Sequence, residues 1–257
     1  MYKPIKKTTL LLAAVALCSS LLIANAQMGG RGPSGPDFSG AMSKLFGDNP
    51  AFSATTEVQI KNNPATGDMT LPGKISYLDG KSRFEMDMTE LKSAQMSPEA
   101  LGQMKQMGMD KMVAISVPET KKVLMIYPNL KAYAEMPGQN PDAGKSAEDF
   151  DVKITELGKE TVGGHECVKN KVIVTDKEGK THEYTVWNAT DLKKFPVKIE
   201  TSENNMDVVM NFKDVKFSKP DSSVFEPPSD YTKYDSFMAL MQQEVMKKMG
   251  GGTNMPR

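Results

Sequence analysis

Thiols, imidazoles and indoles are scarce in this chain: 257 residues hold two cysteines, two histidines and one tryptophan. Cys18 lies in an apolar stretch at the start, so its removal leaves Cys167 without an internal disulfide partner. A lone Cys beside strand residues reads as a small buried hydrophobe. His165, two positions from Cys167, shares a strand face with it but lacks the third, orienting group that nucleophile pairs use. His165 with Cys167 also falls short of the three or four ligands of a zinc site. No G-x-S-x-G elbow, H-E-x-x-H helix, Walker loop or G-x-G-x-x-G run occurs. No basic block stands out either, so nucleic-acid binding has no electrostatic footprint. The expectation is a non-enzymatic protein with no cofactor and no nucleic-acid partner.

What is present begins with an address. Lys3, Lys6 and Lys7 precede an apolar run from Leu10 to Ile23, and Ala24-Asn25-Ala26 makes an A-x-A cleavage site. This is the layout of a secretory signal peptide, and the run is too short for a membrane-spanning helix, which needs about 20 apolar residues. Cys18 as a lipoprotein acceptor would need a small residue before it and has Leu17. The expectation is soluble export to the periplasm or beyond, with cleavage near Ala26, rather than an integral membrane protein. The remaining 231 residues carry 29 basic and 32 acidic groups, a net charge of −3.

A Gly/Pro/Ser-rich leader is expected over 27–45, one domain over 46–249 and a loose tail over 250–257. That domain reads as mainly β. Period-two alternation appears at Phe52, Ala54, Thr56, Val58 and Ile60, and again at Phe84, Met86 and Met88. It returns at Val113, Ile115 and Val117 and at Tyr184 and Val186. Asp79-Gly80 between apolar runs is a two-residue hairpin signal, and Lys177-Glu178-Gly179 and Glu203-Asn204-Asn205 mark further reversals in an antiparallel meander. Val208, Met210 and Phe212 share a phase that Val215 and Phe217 break, which predicts a β-bulge near Lys213-Asp214. Val123 to Tyr127 is apolar on both faces and should be covered on both.

Two helices are expected. Ser97 can cap and Pro98 can open the first, with Glu99 in its first turn. The second, from about Ser236 to Met249, carries Phe237, Leu240, Met241, Val245 and Met249 on one stripe before Gly250. Methionine is the oddity: 19 outside residues 1–26, concentrated in 96–112 and 238–255. Met104, Met107, Met109 and Met112 are soft thioethers that suit Cu(I), although on one continuous helix they would spread over about half its circumference. Flexible apolar packing explains the same residues without a metal.

From Leu157 onward the stretch LGKETVGGHECVKNKVIVTDKEGKTHEYTVWNATDLKKFPVKIET, with DGKSRFEMDM and KKVLMIYPNLKAYAEMP upstream and FKDVKFSKPDSSVFEPPSDY downstream, resembles a pattern of the lipoprotein-carrier (LolA/LolB-like) superfamily, and in particular an uncharacterised periplasmic family in or near it. The likeness covers about Phe52 to Tyr231. It implies a strongly curved, half-open antiparallel sheet, α+β in class, with two or three helices on its concave face and an apolar hollow for a lipid or acyl chain. Phe84, Met86, Met104, Met107, Met125, Tyr127 and Trp187 are the expected lining. Arg83 lies in the kind of strand that carries the carriers' acyl-gating residue. Other readings of the same residues are an envelope protein–protein module whose hollow its own helices fill, and a copper-binding protein using Met104, Met107, Met109 and Met112.

Overall fold

The computed structural model describes residues 38, 40–63, 67–93, 95–137, 142, 145, 147–203 and 205–248. The expected signal peptide, most of the leader and the tail lie outside them. Thirteen strands form one open sheet: β1 (Ala51–Lys61), β2 (Met69–Leu78), β3 (Lys81–Asp87), β4 (Lys92–Ser93), β5 (Lys111–Val117), β6 (Lys122–Tyr127), β7 (Ala132–Pro137), β8 (Phe150–Val162), β9 (His165–Asp176), β10 (Thr181–Ala189), β11 (Pro196–Glu203), β12 (Met206–Lys216) and β13 (Thr232–Tyr234). The spatial order is β13-β7-β6-β5-β3-β2-β1-β12-β11-β10-β9-β8, with β4 beside β2. Two meanders, β1 to β7 and β8 to β12, are thus joined where the first strand of one pairs with the last of the other. All pairings are antiparallel except β13 with β7, which is parallel and departs from the expected meander.

Local chemistry explains the reversals. Asp79 and Gly80 sit at φ of 47° and 88°, the left-handed conformations a two-residue hairpin with right-handed strand twist requires. The expected bulge is present: Thr55 faces Lys213 while Ser53 faces Lys216, and Asp214 takes a φ of 53°. The bulge keeps Phe212 buried and lets the strand turn with the sheet. β6 is covered on both faces, with Val123, Met125 and Tyr127 in the main core. Its Leu124 and Ile126 join a second cluster with Leu78, Val113, Ile115 and Phe225, the last from the 3-10 helix Ser222–Phe225.

Helix α1 (Pro98–Met107) starts as expected: the Ser97 hydroxyl accepts from the Ala100 N–H at 3.2 Å, a cap worth about 1 kcal/mol. It ends at Gly108, left-handed at φ 76°. Helix α2 (Phe237–Lys248) buries Leu240 and Met241 against the sheet, and Phe237 stacks on Tyr127 at 6.0 Å. Tyr234 donates to the Glu244 carboxylate, which also accepts from Lys247 at 2.7 Å, fastening α2 to β13.

One expectation is corrected. The leader does not run to residue 45, because Phe38 and the 3-10 helix Gly40–Phe46 enter the core. Phe38 and Phe46 are 0% and 1% exposed, among the deepest side chains described. Phe38, Met42, Leu45 and Phe46 are spaced as one helical face, and turning that face inward outweighs the local loop-forming composition.

Candidate functional site

The larger apolar cluster lies on one face of the sheet, and register shows how it is assembled. A row of directly opposed residues crosses seven strands from Ala54 through Ile75, Phe84, Ala114, Met125 and Ala134 to Tyr234. A second row runs from Val186 through Ile199, Met210 and Val58 to Leu71. These residues belong to a single continuous cluster, so the sheet bends around its own apolar face. The centre of that hollow is occupied. Phe46 packs against Phe52 at 4.8 Å, Tyr77 at 4.9 Å and Phe195 at 6.0 Å, while Phe38 meets Phe84 at 6.0 Å and Phe212 at 6.3 Å. Burial pushes the Tyr77 hydroxyl up to about 12 and raises that of Tyr127 further, so both are neutral aromatic filling at any ordinary pH.

The cover runs out toward the β1–β2 hairpin. Along β1, Phe52, Ala54 and Val58 are buried but Ile60 is only half-buried, as are its cross-strand partners Met69 and Val208 and the neighbouring Leu71. Helix α1 contributes half-buried Leu101, Met104 and Met107 and no fully buried residue. A cleft of about 540 Å³ opens here, lined by residues 59–61, 68–70 and 91–93.

Of the expected lining residues, Phe84, Met86, Met125 and Tyr127 are on the hollow face and buried. Met104 and Met107 pack on the same cluster half-buried. Trp187 belongs to the same buried cluster but differs from the others in register. Val186 faces Ile199 within the apolar row, so Trp187, one residue on, points to the other side of the sheet. There it is 3% exposed between Lys169 and Lys198, whose ammonium groups stand 4.9 and 4.3 Å from the ring, and its indole N–H donates to Glu160 at 2.7 Å. Arg83 is also on that other side, donating to the Val224 carbonyl at 3.0 Å, and lines no hollow. What sequence reasoning missed was the role of Phe38 and Phe46, for which the helical spacing was the available signal.

Cys167 and His165 lie together at the start of β9, the Cys167 thiol donating to the His165 carbonyl at 3.4 Å. Cys167 is 1% exposed, and burial pushes its thiol up, away from a thiolate. His165 engages Asp191 at 2.8 Å, while His182, opposite Val174, lies on the other face and meets Asp142 at 3.1 Å. Among the described residues no set of three His, Cys, Asp or Glu is placed to hold a metal. No helix among them is long and apolar enough to cross a membrane.

The strongest ionic cluster is structural. Lys145 Nζ lies 2.6 Å from Asp176 and 2.7 Å from Glu178, tying the segment that carries Asp142 to the β9–β10 turn. Asp142 in turn packs so closely on Gly40 (φ 60°) that a Cβ there would lie 2.7 Å from its own. Lys145 holds the Asp176 carboxyl down at about 2. A carboxyl lowered from its unfolded value stabilises the fold fully above about pH 4, and that contribution is lost as pH falls toward 2. Asp176→Asn is therefore expected to be less stable at pH 7 and to show a shallower fall in melting temperature between pH 5 and 2.5. Equal acid slopes for the two proteins, followed by circular dichroism, would dismiss this role for Asp176.

The chain belongs to the family described as Domain of unknown function (DUF4412), which it matches over residues 66–195. Among solved structures it is similar to a LolA superfamily protein from Nitrosomonas europaea, at 8% identity over 72% of this chain and 94% of that one, with a TM-score of 0.42. It is also similar to the lipoprotein LppX of Mycobacterium tuberculosis (8% identity, 67% and 87% covered, TM-score 0.37) and to LprF from Mycobacterium bovis (11%, 73% and 96%, 0.39). No curated protein matches it.

Proposed function

We propose that this chain is an exported, non-enzymatic protein that holds an apolar ligand, a lipid or acyl chain, at the hairpin end of its curved sheet. Export is supported by the Lys-rich start, the apolar run to Ile23 and the Ala24-Asn25-Ala26 motif, the layout of a secretory signal peptide. The observation that carries the ligand is that the apolar face outruns its cover: Ile60, Met69, Leu71 and Val208 stay half-exposed beside a cleft. Phe38 and Phe46 fill the centre, so the ligand sits beyond them, at the cleft. Burial of eight to ten methylenes contributes about 6–8 kcal/mol before the costs of association and ordering, so binding in the micromolar range or weaker is expected.

The test uses residues 27–257, delipidated and titrated with a fluorescent long-chain fatty acid. Saturable micromolar binding is expected, weakened at least about tenfold by Ile60→Asp without loss of the folded circular dichroism spectrum. Absence of binding, or binding indifferent to Ile60→Asp, sinks this reading. A second reading, an envelope protein–protein module, draws support from the filled centre and from β8, an edge strand with Val152, Ile154 and Leu157 exposed.

A further inference from the structure

Six methionines lie on neighbouring segments, the end of β3, α1 and the start of β5, and the way the chain turns there removes the obstacle that a single helix would impose. Only Met104 and Met107 are on α1. Gly108 ends the helix in a left-handed turn, and the Met109 N–H donates back to the Met104 carbonyl at 2.8 Å. Met112 then enters β5 directly opposite Met86 of β3, a cross-strand pair whose Cβ atoms are about 5 Å apart. Met88 is drawn to the same place, its N–H donating to the Asp110 carbonyl at 2.6 Å. Met86, Met109 and Met112 are buried, while Met88, Met104 and Met107 are half-buried between them and solvent.

We propose that this corner is a thioether site for a soft monovalent metal ion, Cu(I) or its surrogate Ag(I). Packing alone does not account for the residue choice. Leucine fills cores with better-defined rotamers and equal helix propensity, yet outside residues 1–26 the chain has ten leucines against 19 methionines. Thioethers are neutral, polarisable donors that favour Cu(I) over harder ions, and they remain unprotonated across the pH range an exported protein meets. Met104 and Met107 are half-buried, which gives an ion access, and Met86 and Met112 are buried in the same apolar cluster. The buried carboxyl of Asp110, which accepts from Asn129 at 2.9 Å, contributes a negative field beside Met109. The site is independent of the lipid reading, because leucine would serve an acyl chain as well as methionine does.

Native mass spectrometry with Ag(I), and anaerobic Cu(I) competition against a chromophoric chelator, test this on residues 27–257. One equivalent is expected, bound with a dissociation constant below about 1 µM. Met104→Leu with Met107→Leu, both at half-buried positions, is expected to weaken binding at least about tenfold while leaving the unfolding midpoint unchanged. Adding Met86→Leu and Met112→Leu is expected to abolish it. Met238→Leu with Met246→Leu, which alters exposed methionines elsewhere, is expected to change nothing. Binding weaker than about 10 µM, binding that survives the Met104/Met107 replacement, or binding lost with Met238 and Met246 each overturns the assignment.

Discussion

Phe46→Ala is expected to remove about 3–5 kcal/mol of stability, out of a total of about 5–15 kcal/mol for a domain of this kind. Phe46 is 1% exposed and its ring is in contact range of five aromatic neighbours: Phe38, Phe52, Tyr77, Phe195 and Phe212. Those neighbours come from the strands β1, β2 and β12, from the turn before β11 and from the N-terminal segment, so no single side-chain movement closes the void. The loss should appear as a lower urea midpoint with an unchanged slope, or as a fall in melting temperature of roughly 6–20 °C. Phe237→Ala is the control: its ring is half-buried on α2, and its removal should cost well under half as much. A loss below about 1 kcal/mol for Phe46→Ala would mean that the Gly40–Phe46 helix is not seated in the hollow. The result also bears on function. If the helix is integral to the fold, a ligand cannot displace it cheaply, and binding is confined to the hairpin end near Ile60.

The features that were legible in the sequence share a cause: each is fixed by residues close together in the chain. The Asp79-Gly80 hairpin, the bulge at Asp214, the Ser97 cap and the two-sided burial of Val123 to Tyr127 follow from turn chemistry and periodicity acting over a few residues. The features that were not legible depend on distant partners. Nothing local to β1 says that it pairs with β12, closing two meanders into one sheet, or that β13 adds in parallel to β7. Trp187 shows the same limit within the candidate site. An aromatic ending an apolar strand looks like lining, but which face it takes is settled by the pairing of Val186 with Ile199, and that puts it between two lysines outside. The leader misled for a related reason. Glycine at Gly40 reads as a loop former, whereas its positive φ and its contact with Asp142 serve to seat a helix. Phe84, Met86, Met125 and Tyr127 were legible as one apolar face because alternation alone assigns them. Their degree of cover was not, since it depends on Phe38, Phe46 and α2.

Gly73→Val is expected to cost about 3 kcal/mol or more, at the upper end of overpacking effects. Gly73 faces Thr56 on one side and Met86 on the other, on the hollow face of β2. A Cβ there would lie 2.6 Å from the Phe84 ring tip and 2.7 Å from the Glu85 carbonyl oxygen. The ring tip can swing aside, but the carbonyl belongs to the β3 backbone and cannot retreat without opening the β2–β3 ladder. Gly73→Ala separates the two obstacles. Alone it should cost about 1–3 kcal/mol; combined with Phe84→Leu, which withdraws the ring tip but not the carbonyl, part of the penalty should return as a coupling of about 1 kcal/mol in a double-mutant cycle. Purely additive losses would show that the ring imposes no constraint, and a neutral Gly73→Ala would show that the strands are farther apart than this. Because Gly73 directly opposes Met86, and Met86 opposes Met112, a side chain at Gly73 pushes on the floor of the methionine corner. Gly73→Ala should therefore weaken Ag(I) binding as well, although it removes no sulfur, and should do so more than Gly102→Ala, a replacement on the exposed face of α1 with no atom within 4 Å of its added Cβ.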